Sequence, residues 1–249
     1  MDLIPDLWDI EQIATIILPY VHSTLEMKYY TNHSRDHSRK LLAYIDEIIQ
    51  ICDLSEINLN EVEKSILKCA CWLHDLGCIY DRDNHADESL KVIEILCEKG
   101  HLDLKAVKDE LKIVVQTHST VGLSNLDSVD SERKIKGYSN IIRLKLLCVL
   151  FKIADECHID RLRAPEPLYD ILKEKMPDES KTWWVGHKFV TSTSFSFDQK
   201  KIIVVMAKEG DPKIASSLEK TLKNEQIRSV LTKYMFPCTE LEIKYEVPE

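Results

Sequence analysis

The chain has 249 residues, enough to bury a substantial core, and its hydrophobic (44%) and charged (30%) fractions are those of an ordinary globular protein. Its formal net charge of −9 argues against a general coat for nucleic acid or for an anionic membrane. The opening MDLIPDLWDI has acids where a secretory signal has basic residues, and no apolar run approaches the roughly 18 residues of a membrane span. Eight cysteines without a CxxC pair predict reduced thiols, and therefore a cytoplasmic protein.

Helical periodicity dominates the chain to about residue 175. HSRKLLAYIDEIIQIC has apolar residues at three-and-four spacing, and a second helix is expected to begin at Asn60, with Glu63 at the capping-box position, and to end at Gly77. DESLKVIEILCEKG and LDLKAVKDELKIVVQTH predict two further helices. SNIIRLKLLCVLFKIADECHI is apolar on nearly every side, which predicts a helix through the centre of the fold.

The pattern changes near residue 180. HKFVTSTSFSF and KKIIVVMAK predict a β-hairpin, PKIASSLEKTLKNEQIRSVLTKYM an amphipathic helix, and ELEIKYEV a strand. We therefore predict a mainly α protein with a helical domain over residues 1–180 and a small C-terminal α+β subdomain over residues 181–249. The strand KIIVVMAK, at a sheet edge, could pair with another chain, so an oligomer is a further expectation.

Histidine and aspartate residues occur where these helices should be apolar. His37 lies on the buried stripe of its helix, His74 and Asp75 precede a helix-ending glycine, and Asp155 sits among the apolar residues of the central helix. Burying such groups without partners is costly. Imidazole with carboxylate suits Mn, Fe, Ni or Zn, and Mg in an oxygen-rich site. The four residues therefore predict a metal site, although on pattern alone the alternative of core histidines bonded to carbonyls stays open.

Two further histidines are candidate ligands of a second ion. His85 lies ten positions after Asp75, and His118 follows the apolar run IVVQT at a helix end. Asp75 would then bridge the two ions. The cofactor we predict is one divalent ion or two.

The order of HSRKLL (His37), LHDLG (His74, Asp75) and KIADECHIDRLR (Asp155) resembles the H…HD…D signature of the HD superfamily of metal-dependent phosphohydrolases, over roughly residues 30 to 165. YTNHSRDHSRKLL with IADECHIDRLRAP is most similar to the HD-CE group of bacterial conflict systems, and QTHST with KIADE also resembles HD-type diadenosine tetraphosphate hydrolases. NHADESL and QTHST resemble the stretches that supply further histidines in two-metal members. The resemblance implies an HD-domain helical core.

The sequence departs from the family pattern in three places. His33 and His37 are four residues apart, so either is a candidate for the first ligand. His158 stands where relatives commonly have an apolar residue. At His85 the sequence has NHAD, whereas many two-metal relatives have a double histidine.

The resemblance implies hydrolysis of a phosphoester or phosphoanhydride of a nucleotide by a metal-activated water. Asp75 and Asp155 are the predicted catalytic carboxylates, Asp75 by bridging both ions and Asp155 by holding the first ion and orienting the nucleophile. Guanidinium groups suit phosphate. The residues expected to bind substrate phosphates are Arg163, the strongest candidate, Arg161, Lys136 and Arg143.

Two other functions compete with this one. A nuclease of the same fold, related to defence, would act on single-stranded DNA or RNA, but the acidic balance weighs against the positive groove it needs. A non-catalytic nucleotide-sensing module would keep the fold, but a sensor has no need of an intact ligand set. Nucleotide is therefore the expected partner and nucleic acid the less favoured one.

Overall fold

The structure is a computed structural model that describes residues 4–23, 27–135 and 137–246, which form a mainly α-helical fold with a small sheet in the C-terminal part. The helices are α1 (Leu7–Ile17), α2 (Arg35–Leu54), α3 (Glu61–Leu73), α4 (His85–Glu98), α5 (Lys108–Thr117), α6 (Thr120–Ser124), α7 (Leu144–Glu156), α8 (Glu166–Leu172), α9 (Asp178–Lys188), α10 (Ser216–Lys223) and α11 (Glu225–Lys233). The strands are β1 (Arg133–Lys134), β2 (Ile141–Ile142), β3 (Val190–Ser196), β4 (Lys201–Met206) and β5 (Glu240–Tyr245). The predicted fold class is confirmed.

Helix α3 begins with the capping box that the sequence predicts. The Asn60 side chain accepts from the Glu63 N–H at 3.0 Å, and the Glu63 carboxylate accepts from the Asn60 N–H at 3.0 Å. The helix ends at Leu73, with His74 as its C-cap, and a 3-10 turn follows over Leu76–Ile79. Residues 74 and 75 therefore lie in a tight turn beyond the helix. The helix is shorter than predicted, since the sequence analysis placed its end at Gly77.

Helix α7 is the centre of the core, as predicted. Every residue from Leu146 to Ala154 is buried, and the helix packs against α2, α3, α5, α10 and α11. Even Lys152 is buried, and its ammonium lies 2.6 Å from the Glu156 carboxylate one turn later. A helix enclosed in this way fixes the position of any polar group at its end.

The C-terminal sheet has the order β3-β4-β5, with β3 antiparallel and β5 parallel to β4. The predicted hairpin and final strand are confirmed. The single helix expected between them is two helices, α10 and α11, because Asn224 adopts an extended conformation and its side chain accepts from the N–H groups of Gln226 and Ile227. Asparagine favours such caps over helix interiors.

The boundary expected near residue 180 falls inside α9. One cluster of buried side chains joins residues of the helical part, such as Leu41 and Phe151, to Ile202 and Leu231 of the C-terminal part. The sheet is therefore packed onto the helical core and shares it. No helix of the described residues is long and apolar enough to cross a bilayer.

The structure places Arg143 away from the predicted metal ligands. Its guanidinium binds the fully buried Glu63 carboxylate at 2.6 and 2.9 Å and donates to the Ile57 carbonyl at 2.6 Å. Glu63 lies near the start of α3, roughly 16 Å along the helix from His74 at 1.5 Å per residue. Arg143 is thus the counter-charge of a buried acid, which weighs against its expected role in binding substrate phosphate.

Replacing Arg143 with methionine should lower the free energy of unfolding by about 3–5 kcal/mol, because the Glu63 carboxylate would stay buried without its partner. Chemical denaturation followed by circular dichroism measures the loss. Arg39→Met is the control, since Arg39 is half exposed and pairs with Glu11 at 3.6 Å, and it should cost less than about 1 kcal/mol. Equal losses in the two variants would contradict the structural role of Arg143.

Candidate metal centre

The six predicted metal ligands all lie at helix ends. His37 is in the first turn of α2, His74 caps the C-terminus of α3 and Asp75 follows it, His85 opens α4, His118 caps the C-terminus of α5, and Asp155 is in the last turn of α7. Helices α3, α5 and α7 therefore direct their C-terminal ends, which carry partial negative charge, toward one place. Carboxylates added at such ends need a cation nearby.

His37, His74 and Asp155 form the first group of converging donors. The Nε2 atoms of His37 and His74 are 3.1 Å apart, and His37 Nε2 lies 3.3 Å from Asp155 Oδ1. Asp75 Oδ2 joins them, 3.4 Å from His37 Nε2 and 3.1 Å from His74 Nε2. Two imidazole nitrogens and two carboxylate oxygens thus face one point.

These separations fit the coordination of a divalent ion. Metal–nitrogen and metal–oxygen bonds of about 2.0–2.2 Å place neighbouring donors roughly 3.0–3.5 Å apart. Asp75 Oδ2 is buried and has no hydrogen-bond partner among the described residues. A carboxylate oxygen in that state is costly unless a cation balances it. The donor set of imidazole and carboxylate matches Mn, Fe, Ni or Zn.

His85 and His118 form the second group, again with Asp75. Their Nε2 atoms are 2.8 Å apart, and His85 Nε2 lies 3.7 Å from Asp75 Oδ1. Asp75 therefore presents Oδ2 to the first group and Oδ1 to the second. This is the arrangement expected of a carboxylate that bridges two ions.

Backbone carbonyls contact the Nδ1 atoms of His85 and His118. His85 Nδ1 lies 2.7 Å from the Arg82 carbonyl, and His118 Nδ1 is bonded to the Val115 carbonyl. A carbonyl only accepts, so His118 Nδ1 carries the proton and its Nε2 keeps a lone pair. At His85 Nδ1 the carbonyl competes with the Arg82 guanidinium, which only donates and lies 3.0 Å away. Such a contact orients a ligand imidazole.

Burial and neighbouring charge together determine the charge states of these groups. It lowers the pKa of His37 and of His118 to about 3, so both are neutral at pH 7. Burial opposes ionisation of Asp75, but the charge of His74 holds the pKa of Asp75 well below its ordinary value. Asp75 in turn raises the pKa of His74 against the effect of burial. A bound cation would take over this stabilisation of the Asp75 charge.

Gly77 fixes the turn that carries His74 and Asp75. A Cβ atom at Gly77 would lie 2.1 Å from the His85 carbonyl oxygen and 2.3 Å from the Ser89 nitrogen, so only glycine permits this approach to α4. The Gly77 N–H donates to Ser89 Oγ at 2.8 Å, and that hydroxyl donates to the His74 carbonyl at 2.6 Å. The turn and α4 are therefore locked together.

The structure distinguishes His37 from His33. His37 faces both carboxylates, whereas His33 Nε2 lies 3.1 Å from an Arg163 guanidinium nitrogen, and its Nδ1 lies 2.5 Å from the Thr31 carbonyl. Of the two candidates for the first ligand, His37 is the one placed in the cluster.

The predicted phosphate-binding residues differ in position. Arg163 is half-buried beside the cluster, bonded to the His158 carbonyl at 3.0 Å and to His33. Arg161 is exposed in the same 3-10 turn, Arg161–Arg163. Lys136 lies outside the described residues. Arg163 forms no ion pair with the described residues, so its charge is free to meet an anion.

Arg82 is a further basic residue at the site that sequence analysis missed. Its Nη1 lies 3.0 Å from His85 Nδ1, which the Arg82 carbonyl also contacts at 2.7 Å. It lies 5.3 Å from the centre of the Tyr30 ring and forms no ion pair within residues 4–23, 27–135 and 137–246. In the sequence, the signal for Arg82 was its position three residues before the candidate ligand His85.

A helical core in which these histidines and aspartates converge defines an HD-type domain. The HD-CE family model matches residues 27–227, which is most of the chain, and the chain therefore belongs to the HD-CE family. The match continues past residue 180 into the C-terminal part. No curated protein matches the chain.

Replacing Asp75 with alanine should abolish the binding of both ions, because each oxygen of this carboxylate faces one group of donors. His85→Ala should weaken only the second ion, by about 10–100-fold. Elemental analysis after loading with Mn, Fe, Ni, Zn or Mg, together with titration calorimetry, measures both effects. Asp83→Asn, on an exposed residue nearby, is the control for loss of charge. Full ion content in Asp75→Ala would disprove the assignment.

Proposed function

We propose that this protein is a metal-dependent phosphohydrolase that cleaves a phosphoester or phosphoanhydride bond of a nucleotide. The observation that carries the proposal is the position of Asp75. One of its oxygens faces His37 and His74, and the other faces His85. Membership of the HD-CE family supports an HD-type chemistry. The substrate class is our inference from the charges around the centre.

The first ion would be held by His37, His74, Asp75 and Asp155, and the second by Asp75, His85 and His118. When bound, a divalent ion makes hydroxide available near pH 7 and offsets charge on the phosphate. Asp155 is the more open of the two carboxylates, with 17% of its side chain exposed against 4% for Asp75. Asp155 is therefore placed to accept a hydrogen bond from the attacking water and to orient it.

Two guanidinium groups lie beside the centre, and the charges of both act on the His33 imidazole. Arg163 lies beside the first group through His33 and His158, and Arg82 lies beside the second group through His85. Neither is neutralised by an acid of the described residues, although the chain has a net charge of −9. Phosphate oxygens at the ions would meet preorganised guanidinium donors beside them.

A panel of substrates tests the proposal and ranks the alternatives. The metal-loaded protein is incubated with nucleoside mono-, di- and triphosphates, dinucleoside polyphosphates, and labelled single-stranded DNA and RNA. We expect the products of a small nucleotide to accumulate fastest. The positive charge that we identify at the site, that of Arg163 and Arg82, is local, whereas the chain as a whole has a net charge of −9. Faster cleavage of the oligonucleotides would favour a nuclease, and nucleotide binding without turnover would favour a sensing module.

Replacing Arg163 with alanine should lower kcat/KM by roughly 10²–10³, the cost of one preorganised donor to the transition state. Lysine should recover only part of the rate, because a point charge does not reproduce the two-pronged geometry of guanidinium. Arg82→Ala should have an effect of the same kind. Steady-state kinetics measures these changes, and elemental analysis should show unchanged metal content.

Arg39→Ala is the control for removal of a positive charge, since Arg39 is exposed and paired with Glu11. Unchanged turnover in both Arg163→Ala and Arg82→Ala would mean that the two guanidinium groups are structural.

A further inference from the structure

His158 touches the Nδ1 edge of His37, which is turned away from the metal centre. The two Nδ1 atoms are 2.6 Å apart, and the rings are nearly parallel, with an interplanar angle of 7° and centroids 4.9 Å apart. Both imidazoles are buried. A contact this short between two ring nitrogens requires that one carries a proton and the other a lone pair.

The direction of that hydrogen bond follows from the metal centre. His37 Nε2 faces His74 Nε2 and the carboxylates at 3.1–3.4 Å, so it must keep its lone pair to serve as a ligand. A neutral imidazole then has its proton on Nδ1. His37 must therefore donate and His158 must accept, which leaves the His158 proton on its own Nε2.

Asp160 is placed to hold the His158 proton there. Asp160 Oδ1 lies 3.7 Å from His158 Nε2, which has no hydrogen-bond partner among the described residues. The carboxylate is buried, accepts from the Leu162 N–H at 3.0 Å, and has Lys40 Nζ 3.4 Å from its other oxygen. A fixed negative charge at this distance favours the tautomer that directs N–H toward it.

We propose that His158 is a positioning residue of the metal centre, which together with Asp160 sets the tautomer of His37 and so keeps Nε2 available as a ligand. The arrangement extends the usual carboxylate–histidine–metal contact by one imidazole. The inference rests on the proposed metal centre, because it takes His37 as a ligand.

The tautomers can be observed directly in the protein loaded with zinc, a diamagnetic ion that would occupy the lone pair of His37 Nε2. Nitrogen-15 NMR of labelled histidines at pH 7 distinguishes protonated from unprotonated ring nitrogens. We expect His37 to be protonated at Nδ1 only, and His158 at Nε2 only. A proton on His158 Nδ1 or on His37 Nε2 would overturn the proposal. This measurement needs no variant and no turnover, so it stands apart from the test of hydrolysis.

Metal affinity gives the second readout. His158→Leu removes the acceptor and should weaken the first ion by about 10–100-fold in chelator competition, whereas His158→Asn, whose amide oxygen can accept from His37, should remain within about three-fold of the wild type. A role in packing alone would affect the two variants alike, and that result would overturn the proposal.

His187→Leu is the matched control. His187 is equally buried and lies 2.8 Å from the Ile159 carbonyl in the same region, without contact to a ligand. Its replacement should leave metal affinity unchanged. A loss as large as that of His158→Leu would mean that any buried histidine here supports the site only through the stability of the fold.

Discussion

The structure is organised around the cost of burying the Asp75 carboxylate. It is almost fully enclosed, one of its oxygens has no hydrogen-bond partner among the described residues, and the C-terminal ends of α3, α5 and α7 add partial negative charge around it. Four histidine side chains surround it. The charge of His74 holds the pKa of Asp75 low, and the other three imidazoles lie close enough to share a bound cation with it. The arrangement that costs free energy in the absence of a cation would therefore favour the binding of one.

Rigid helix ends hold the donors in place, and the core holds the helices. Phe151, one turn before Asp155 on α7, contacts the ring of His74 edge-on, with centroids 5.5 Å apart. Gly77 and Ser89 fix the turn after α3 against α4. Donor positions are therefore set by packing and by backbone hydrogen bonds before any ion arrives, which is the condition for a preorganised site.

The sequence predicts the parts of the site that break a local pattern. His37 and Asp155 interrupt apolar stripes, so their burial was visible without a structure. Contacts between residues far apart in the chain were not visible in this way. Arg143 was expected to bind substrate, and its partner Glu63 lies 80 residues earlier, so their ion pair could not be read from the sequence. The break at Asn224 was missed because apolar periodicity continues through it. The match of His158 to His37 depends on how α2 and the segment after α7 pack, which periodicity does not encode.

The sequence separation of 121 positions between His37 and His158 has a consequence for how the protein folds. Contacts between such distant positions close a large loop and form late in folding, since their entropy cost is met only after local structure exists. We therefore expect the centre to be one of the last regions to become complete. An ion bound there would link α2, α3 and α7 and stabilise the native state alone. It would raise the free energy of unfolding by holding together the part of the chain that we expect to form last.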